Sequence, residues 1–391
     1  MADTFPPQRT SGAVQLRDLV TEWQRQGHAV TVILPSPRQE KPWSLEDFKG
    51  AQVLRLRSQS TKGVGYIART IGEFISPFVM RYRLRETPLS EARWDLVVWY
   101  SPSIFFAPLI RSLKASSQCP GYLIIRDIFP EWAVDMGLMR RGLVYHLFRW
   151  IARRQYRLAN VIGVQSNGNL GYFDAWRGGP ERSVEVLENW LGPRQDLPVT
   201  LRLNQSLLAG RRVLVYAGNM GVAQGLDVVL RLAERLKNDR TLGFLFVGRG
   251  SERERLRQSA DALRLENVMF HDEIDPDAIP DLYAQCAVGL VSLDLRHRSH
   301  NIPGKFLTYM QSGLPVFAIV NPGNDLVPLI ASAGVGRAVE SDDLDSIERG
   351  LHELIRDISH DQSLSARCLT LFQERYTVDR AARQILAVLD A

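Results

Sequence analysis

Two hydrophobic periodicities alternate along most of this chain. Short runs of β-branched and aromatic residues, typical of buried strands, are separated by stretches in which apolar residues recur every three or four positions, as they do in helices. The first helical pattern comprises Leu16, Leu19, Val20 and Trp23. Gly27 ends it. The alternation predicts an α/β fold with two Rossmann-like, doubly wound domains, each a parallel sheet covered by helices on both faces.

The predicted strands fall into two groups separated by a linker. In the first half they are residues 29–34, 53–57, 95–100, 121–125, 160–165 and 184–187. In the second half they are residues 212–217, 243–247, 267–271, 287–293 and 314–320. The proline- and glycine-containing run 189–207 is the predicted linker. We therefore expect an N-terminal domain of residues 1–190, a C-terminal domain of residues 191–375, and a final helix at 376–391 that can pack back on the first domain.

The first seven residues have the pattern of a strand that ends and runs into a loop, but the strand itself is missing. Two interpretations stay open. Either the first sheet lacks that strand, or the true start codon lies upstream of Met1.

Composition narrows the class of protein. The chain has 391 residues, of which 45% are hydrophobic and 23% charged, values ordinary for a globular protein of two or three domains. Its three widely spaced cysteines, Cys119, Cys286 and Cys368, argue against a disulfide framework or a CxxC metal site. No apolar run reaches the roughly 18 residues that span a bilayer, and no signal-peptide pattern opens the chain. These features favour a reducing, cytoplasmic location.

Charge divides unevenly between the halves. Residues 1–190 carry 25 Lys and Arg against 17 Asp and Glu, whereas residues 191–391 carry 23 against 26. One basic cluster in the first half comprises Lys62, Arg69, Arg81, Arg83 and Arg85, interleaved with Phe74, Ile75, Phe78, Val79 and Tyr82. A second comprises Arg140, Arg141, Arg149, Arg153, Arg154 and Arg157, among Leu143, Phe148, Trp150 and Ile151.

These basic and aromatic mixtures predict peripheral association with an anionic membrane surface, on the inner face of the cell membrane. For the second cluster the alternative is a long helix whose apolar stripe belongs to the core. Nucleic acid is a poorer partner, because no recognised binding module accompanies the charge.

The most informative stretch is residues 212–236, where an apolar run ends in the turn Gly218-Asn219-Met220-Gly221 and a helical pattern follows. A strand, a glycine turn and a helix in this order direct unpaired backbone N–H groups and the positive end of the helix dipole at one point. Such a point suits a phosphate. The alternative is that the glycines only shape the turn.

Six segments, in their order and separation, resemble one family. They are FPPQRTSGAVQLRDLVTEWQRQGHAVTVILP, RDIFPEWAVDMGL, VYAGNMGVAQGLDVVL, FLFVGRGSERERL, NIPGKFLTYMQSGLPVFA and RYTVDRAARQIL. The chain resembles GT-B glycosyltransferases of family 4, and among them the branch with N-acetylfucosamine transferases of bacterial surface polysaccharides.

The resemblance implies a UDP-sugar donor held mainly by the C-terminal domain and a lipid-diphosphate-linked saccharide acceptor held mainly by the N-terminal domain. It also implies catalysis between the two, retention of anomeric configuration, no cofactor and no obligatory metal. The sequence agrees on the metal, since it contains no convincing DxD or His/carboxylate ligand cluster. The charge of the diphosphate must then be met by protein cations and N–H dipoles.

The donor candidates begin with a diphosphate cradle. Its members are Gly218, Asn219, Gly221, Gln224 and Gly225. Many family members have Arg and Lys where this chain has the neutral amides of Asn219 and Gln224. Lys305, just before a predicted helix, is expected to supply the missing cation beside a positive dipole end. The alternative is a solvated surface lysine.

Three further donor candidates carry alternatives. His300 and Thr308 stand where the family usually has two glutamates eight positions apart, the second of which contacts the donor ribose. Thr308 can hydrogen-bond a ribose hydroxyl, while His300 either donates to the sugar or phosphate or is an exposed loop residue. Arg249, at the end of a strand, is a ligand residue or ordinary turn decoration.

The acceptor and catalytic candidates lie in the first half. The resemblance places Gly12 in a loop that approaches the donor phosphates, where a side chain would obstruct closure. A plain N-cap by Thr10 or Ser11 is the alternative. Asp127, at the end of a buried strand, is the candidate that orients or deprotonates the acceptor hydroxyl, or else a helix cap. Arg126 would pair with Asp127 or with an acceptor phosphate.

The function expected from the sequence is a retaining glycosyltransferase of bacterial surface polysaccharide biosynthesis. It would move a sugar, an N-acetylated deoxyhexosamine, from a UDP-sugar to a lipid-linked acceptor. Two alternatives stay open. One is a nucleotide-sugar epimerase of the same fold, and the other is a non-catalytic, glycosyltransferase-like partner subunit.

Overall fold

The computed structural model describes residues 1–8, 10–37, 39–59, 66–101, 103–176, 182–194, 197–296 and 302–390. It divides into two compact units. Unit 1 comprises Met1–Glu188 and Val378–Ala391, and unit 2 comprises Asn189–Thr377. Each unit is an α/β structure built on parallel strands, as the sequence predicts.

Unit 1 carries two groups of strands. Their bounds are β1 (Thr31–Ser36), β2 (Trp43–Phe48), β3 (Ala51–Arg57), β4 (Val97–Tyr100), β5 (Gly121–Ile124), β6 (Val161–Val164) and β7 (Ser183–Val186). One sheet has the order β1-β3-β2, and the other has the order β4-β5-β6-β7 with every pair parallel. β1 and β4 are therefore both edge strands.

Of the helices of unit 1 that precede unit 2, the first comes before β1 and the others lie between the strands along the chain. They are α1 (Ser11–Arg25), α2 (Tyr66–Leu84), α3 (Ala107–Ser117), α4 (Glu131–Asp135) and α5 (Leu143–Tyr156), with a 3₁₀ segment at Asn167–Trp176. The buried core beneath them includes Ile33 of β1, Trp99 of β4 and Leu123 of β5.

Strand β2 was not predicted, and it pairs antiparallel with β3. Its sequence, WSLEDF, is interrupted by charge, so it lacks the apolar run of a buried strand. The hairpin is set instead by the two-residue turn Lys49-Gly50, in which both residues have positive φ (52° and 89°). Such turns match the twist of paired strands, and the strand therefore forms from its turn rather than from its hydrophobicity.

Unit 2 holds one six-stranded parallel sheet of order β10-β9-β8-β11-β12-β13. The strands are β8 (Arg212–Ala217), β9 (Leu242–Val247), β10 (Val268–His271), β11 (Val288–Ser292), β12 (Val316–Ile319) and β13 (Gly336–Val339). The helices are α6 (Asp227–Arg235), α7 (Arg253–Ala262), α8 (Ile279–Tyr283), α9 (Gly304–Gln311), α10 (Leu326–Ala333), α11 (Leu344–His360) and α12 (Leu364–Arg375). β13, a four-residue edge strand, was not predicted.

Strand β8 shows why both faces of this sheet are covered. Val213, Val215 and Ala217 belong to one hydrophobic cluster, and the intervening Leu214 and Tyr216 belong to another. Successive side chains of a strand point to opposite faces. A strand that is apolar at every position therefore needs helices on both sides, which gives the doubly wound layers.

The last helix, α13 (Val378–Leu386), returns to unit 1. The indole Nε1 of Trp23 in α1 donates to the carbonyl of Ala382 at 3.3 Å, and the Gln384 amide donates to the carbonyl of Val186 at 2.9 Å. The two ends of the chain thus meet in one unit.

No helix within the described ranges is both long and apolar enough to cross a membrane.

Candidate functional site

The glycine turn after β8 is locked to the turn after β9. The amide of Gly218 donates to the carbonyl of Val247 at 2.9 Å, and the amide of Met220 donates to the carbonyl of Arg249 at 2.7 Å. Gly248 and Gly250 have φ of 130° and 149°, and a Cβ on either would lie 2.2 Å from a backbone oxygen, that of Gly218 or Met220. The two turns approach so closely that only glycine fits.

Substituting Gly248 by alanine is expected to lower the free energy of unfolding by about 1–3 kcal/mol, because the new methyl meets backbone and the φ is unfavourable for an L-residue. Chemical denaturation measures the change. Gly304→Ala is the matched control, since a Cβ there meets nothing within 4 Å and alanine suits a helix. Equal stability of both variants would contradict the close approach of the two turns.

The predicted cradle residues contact one another. The Gln224 Oε1 accepts from the amide of Gly221 at 2.9 Å and from the Asn219 Nδ2 at 3.4 Å. Gly225 is left-handed (φ 55°), and a Cβ there would lie 3.1 Å from the Cα of Asp294. The structure thus brings Gly218 and the other four cradle residues into one turn. Two of the N–H donors of this turn, the Gly221 amide and the Asn219 Nδ2, already donate to Gln224.

The helix that follows the glycine turn begins where the helical pattern of the sequence places it. A single 3₁₀ turn, Val222–Gln224, follows the glycines, and α6 begins only at Asp227. The Asp227 carboxylate forms a bidentate pair with Arg255, at 2.7 and 2.8 Å. The 3₁₀ turn thus separates Gly218 and Asn219 from the start of α6 along the chain.

Lys305 places a positive charge beside the glycine turn. It lies in the first turn of α9, and its side chain lies against Gly218, where a Cβ would be 3.6 Å from the lysine Cε. The ammonium lies 4.0 Å from the centroid of the Tyr216 ring. The Tyr216 hydroxyl in turn donates to the carbonyl of Asn219 at 2.6 Å. Strand β8, the glycine turn and the start of α9 thus converge on one cation.

The environment of Lys305 is unusual for a lysine. It makes no hydrogen bond or ion pair with the residues that the structure describes, although some of its surface stays exposed. Burial of the ammonium lowers its pKa to about 7. Lys305 is therefore not the solvated surface lysine of the alternative interpretation. A desolvated cation held over an aromatic face, beside glycine amides and a positive helix end, suits an anionic ligand.

The other donor candidates are less well placed. Thr308 is half-buried, and its hydroxyl donates to the carbonyl of Gly304 at 3.4 Å, which leaves its lone pairs free to accept. The Arg249 side chain is 64% exposed and lies 3.5 Å from Glu273. His300 lies outside the described residues. Tyr216 was missed by the sequence analysis, although an aromatic residue two positions before the glycine turn was a readable signal.

The unit 1 candidates gather at the carboxyl ends of β4 and β5. Arg126 is buried, with its guanidinium 5.8 Å from the Tyr100 ring centroid and its Nη1 donating to the carbonyl of Leu187 at 3.4 Å. Burial lowers the pKa of Arg126. Its position beneath the surface suits support of its neighbours rather than direct contact with an acceptor phosphate.

Asp127 is exposed, although surrounding protein atoms desolvate its carboxyl and raise its pKa above the ordinary value. The Arg126 guanidinium opposes that rise. The carboxyl is therefore exposed and has the Arg126 guanidinium beside it. It is an accessible carboxylate at a strand end, which is the geometry required of a residue that orients or deprotonates a hydroxyl.

Gly12 corrects the sequence analysis, because it lies within α1 and not in a loop. Thr10 is the N-cap, and its hydroxyl accepts from the amide of Ala13 at 3.2 Å, as in the alternative interpretation. A Cβ on Gly12 would lie 3.3 Å from the Tyr100 hydroxyl, which donates to Gln15 at 2.9 Å. The glycine therefore lets α1 pack on the tyrosine that faces Arg126.

Comparison with known proteins identifies the chemistry. A family model described as glycosyl transferases group 1 matches residues 211–357, and one described as glycosyl transferase 4-like domain matches residues 11–190. The chain is a glycosyltransferase of the GT-B fold. The first model covers the turn around Gly218 and Lys305, and the second covers Gly12, Arg126 and Asp127.

Individual relatives of this glycosyltransferase are distant. The probable glycosyltransferase WbjE of Pseudomonas aeruginosa is 22% identical over 92% of this chain and 89% of that protein. The putative colanic acid biosynthesis glycosyl transferase WcaI of Escherichia coli strain K12 is 25% identical over 68% of each chain.

Solved structures show the same fold at low identity. The sucrose-phosphate synthase of Thermosynechococcus elongatus has a TM-score of 0.75 and 14% identity, covering 98% of this chain and 96% of its own. HepE of Anabaena, in complex with UDP, has a TM-score of 0.65 and 15% identity, covering 100% and 98%.

The surface of the glycosyltransferase carries an unusual apolar face on unit 1, which we call the α2–α5 face. Its exposed members are Ile71, Phe74, Ile75, Phe78 and Tyr82 of α2, and Leu143, Val144, Leu147 and Trp150 of α5. Phe105 lies under both helices, with its ring 6.5 Å from that of Phe74 and 6.4 Å from that of Phe148.

The alternative interpretation of the second basic cluster is thus correct only in part. α5 does bury one apolar stripe, which includes Phe148 and Ile151, but it exposes a second one. Cations border that stripe, and the Arg154 guanidinium lies 4.5 Å from the Trp150 ring centroid. Lys62 lies outside the described residues, as does the side chain of Arg69.

Among the described residues of the glycosyltransferase, no group of three or more His, Cys, Asp or Glu side chains is arranged to hold a metal ion.

Proposed function

We propose that this glycosyltransferase moves an N-acetylated deoxyhexosamine from a UDP-sugar to a lipid-diphosphate-linked saccharide, with retention of anomeric configuration, during bacterial surface polysaccharide assembly. The observation that carries the proposal is the Lys305 ammonium, desolvated over Tyr216 and packed beside Gly218. A nucleotide-sugar donor supplies the anion that this cation lacks.

The donor diphosphate would lie against the glycine turn and the first turn of α9. Lys305 would then neutralise the charge that develops on UDP as the glycosidic bond to the donor breaks. Asn219 and Gln224 would contribute neutral hydrogen bonds, and Thr308 would contact the ribose. Arg249 and His300 stay candidate contacts of the donor.

In the proposed reaction, residues of unit 1 act on the acceptor. Asp127 offers a carboxylate that can orient the acceptor hydroxyl or take its proton. Arg126 would hold Asp127 in place and favour its ionised form. Gly12 would act through packing on Tyr100, since a Cβ at this position would lie 3.3 Å from the tyrosine hydroxyl.

The proposed identity of the donor and product rests on similarity to other proteins. HepE has been solved with UDP-glucose and the Escherichia coli relative is named for colanic acid biosynthesis, which supports a UDP donor and a polysaccharide product for this chain. The deoxyhexosamine, the lipid-linked acceptor and the retention of configuration rest on the resemblance of the sequence segments to the N-acetylfucosamine-transferase branch.

One assay separates the candidate functions. The purified protein is mixed with UDP-N-acetyl-deoxyhexosamines, with and without lipid-linked acceptor extracted from membranes, and UDP release is followed. The proposal expects release only with acceptor, and an α-linked product from an α-linked donor by NMR. A changed sugar without acceptor would favour the epimerase. Donor binding with no turnover would favour the partner subunit.

The α2–α5 face supports a second part of the proposal, that the protein acts at the cytoplasmic face of the cell membrane. Exposed leucine, phenylalanine and tryptophan side chains bordered by arginines fit the interfacial region of an anionic bilayer. A lipid-linked acceptor would be presented at that surface.

The double substitution Leu147→Glu and Trp150→Glu is expected to lower binding to anionic vesicles at least tenfold, because it removes two apolar contacts and adds repulsion by the headgroups. Sedimentation with phosphatidylglycerol vesicles measures the change. Both positions are exposed, so folding is preserved. Leu263→Glu, at an exposed leucine of unit 2, is the matched control. Unchanged sedimentation of the double variant would contradict a role of this face.

A further inference from the structure

The Tyr216 side chain contacts both parts of the proposed donor site. The Lys305 ammonium lies over its ring, 4.0 Å from the centroid, and its hydroxyl donates to the carbonyl of Asn219 in the glycine turn at 2.6 Å. Tyr216 itself has no exposed surface. It can therefore act on a bound ligand only through the groups that it contacts, which are the cation and the turn.

A row of aromatic side chains keeps the Tyr216 ring in place. Tyr216, Phe246 and Phe270 occupy paired positions on β8, β9 and β10. The ring centroids of Tyr216 and Phe246 are 6.3 Å apart, and Phe246 stacks on Phe270 with centroids 4.9 Å apart and 13° between the ring planes. Cross-strand aromatic pairs stabilise a sheet, and close packing leaves each ring few alternative rotamers. The Tyr216 ring is therefore a fixed surface.

The helix that carries Lys305 is anchored to the same strand. Tyr309 lies one turn after Lys305 in α9, and its hydroxyl lies 2.9 Å from the carbonyl oxygen of Val215 and 3.0 Å from that of Leu290. Gly289 makes this approach possible, because a Cβ there would lie 2.5 Å from the Tyr309 ring. The start of α9 thus has a defined position relative to β8.

The Lys305 side chain between these two anchored elements has a flexible four-carbon stem. The ring of Tyr216 therefore selects the rotamers in which the ammonium lies beside the turn, where a Cβ on Gly218 would be 3.9 Å from the lysine Nζ. The attraction between an ammonium and an aromatic face is strongest where water is excluded, and burial of Lys305 provides that condition.

We propose that Tyr216 is a positioning residue of the donor site, whose ring orients the Lys305 ammonium and whose hydroxyl orients the carbonyl of Asn219. Tyr216 has this role only if the donor diphosphate binds at Lys305, as proposed above. The cation and the glycine turn are then preorganised by one side chain that the ligand never touches. Preorganised groups bind an anion more tightly, because less freedom is lost on binding.

Two substitutions of the same size separate the two contacts. Tyr216→Phe removes the hydroxyl and keeps the ring. Tyr216→pentafluorophenylalanine, introduced as a non-natural amino acid, also removes the negative charge of the ring face that attracts a cation. The affinities of the full chain for UDP and for uridine are measured by calorimetry and by NMR titration, with Lys305 present and in the Lys305→Met background. Uridine lacks the diphosphate, so it reports general damage to the site.

Tyr216→Phe is expected to lower the UDP affinity about two- to tenfold, the effect of one lost hydrogen bond. Fluorination of the ring should lower it a further three- to thirtyfold, as for a desolvated cation–π contact. The second loss should disappear in the Lys305→Met background, because the ring acts through the ammonium, whereas the first loss should remain. The uridine affinity should change less than twofold in every variant.

Tyr122→Phe is the matched control. The Tyr122 hydroxyl is in unit 1, and it also makes a hydrogen bond of 2.6 Å, to Glu185. Loss of this bond should leave the UDP affinity unchanged.

The outcomes distinguish the two proposals. If Lys305→Met weakens UDP binding but both Tyr216 variants bind UDP as the native protein does, the positioning role is wrong and the donor site stands. The positioning role is also wrong if the UDP and uridine affinities fall together, or if the effect of ring fluorination persists without Lys305. If Lys305→Met itself leaves UDP binding unchanged, the donor site at this turn is wrong and the role of Tyr216 falls with it.

Discussion

Replacing Lys305 by methionine is expected to lower kcat/KM for the UDP-sugar about 100- to 1,000-fold, the usual effect of removing one preorganised group that stabilises a departing oxyanion. Methionine keeps the length and apolar stem of lysine over the Tyr216 ring but has no charge. The affinity for UDP alone should fall about ten- to a hundredfold, as for the loss of a hydrogen bond to a charged group. Steady-state kinetics and isothermal titration calorimetry measure the two effects.

Lys237→Met, at an exposed lysine of the same unit, is the matched control and should leave both constants unchanged.

The effect of Lys305→Met on the free energy of unfolding is an independent test of the environment of this ammonium. The pKa of Lys305 falls from 10.5 to about 7 on folding, so its charge opposes folding most below pH 7. At about 1.4 kcal/mol per pKa unit, the variant should be clearly more stable than the native protein below pH 7.

That gain should shrink as the pH rises from 7 and vanish above 10.5, where the lysine is neutral in both states. A variant that loses stability while it loses UDP affinity would show that Lys305 has a structural role instead. Unchanged kinetics would show that the donor diphosphate does not bind at this glycine turn.

Asp127→Asn is expected to lower kcat about 100- to 10,000-fold with little change in the affinity for UDP, because general-base assistance contributes about that much. The amide keeps the shape of the carboxylate but cannot accept a proton. The pH profile of the native enzyme should fall on the acid side as Asp127 becomes protonated, and that limb should disappear in the variant. Acceptor-dependent UDP release measures both.

Asp135→Asn, on α4 of the same unit, is the control for a lost carboxylate and should retain activity. If both variants behave alike, Asp127 has no special part in the reaction. If Asp127→Asn raises KM for the acceptor and leaves kcat unchanged, the carboxylate binds the acceptor without taking its proton.

Much of unit 2 could be predicted from the sequence, because its strands are apolar on both faces. The bounds of β8 agree with the prediction at both ends. What could not be predicted was the contact between Tyr216 and Lys305, which are far apart in sequence and meet only when α9 packs beside β8. Local hydrophobic patterns carry no information on such a long-range contact.

Unit 1 was harder for a related reason. β2 forms from a turn with two positive φ values, and its charged residues conceal it. Gly12 was placed in a loop, although Thr10 caps a helix that begins at Ser11. In both cases a single capping or turn residue decides the local structure, and hydrophobic periodicity does not register it.

The return of α13 to unit 1 has a consequence for biosynthesis. The partners of Trp23 and Val186 leave the ribosome after all of unit 2 has been made. During translation, the side of α1 that packs on α13 therefore stays exposed while roughly half of the polypeptide is still being synthesised. Unit 1 is completed only by residues Val378–Ala391, so a polypeptide truncated before Val378 would contain an incomplete first unit beside a complete second one.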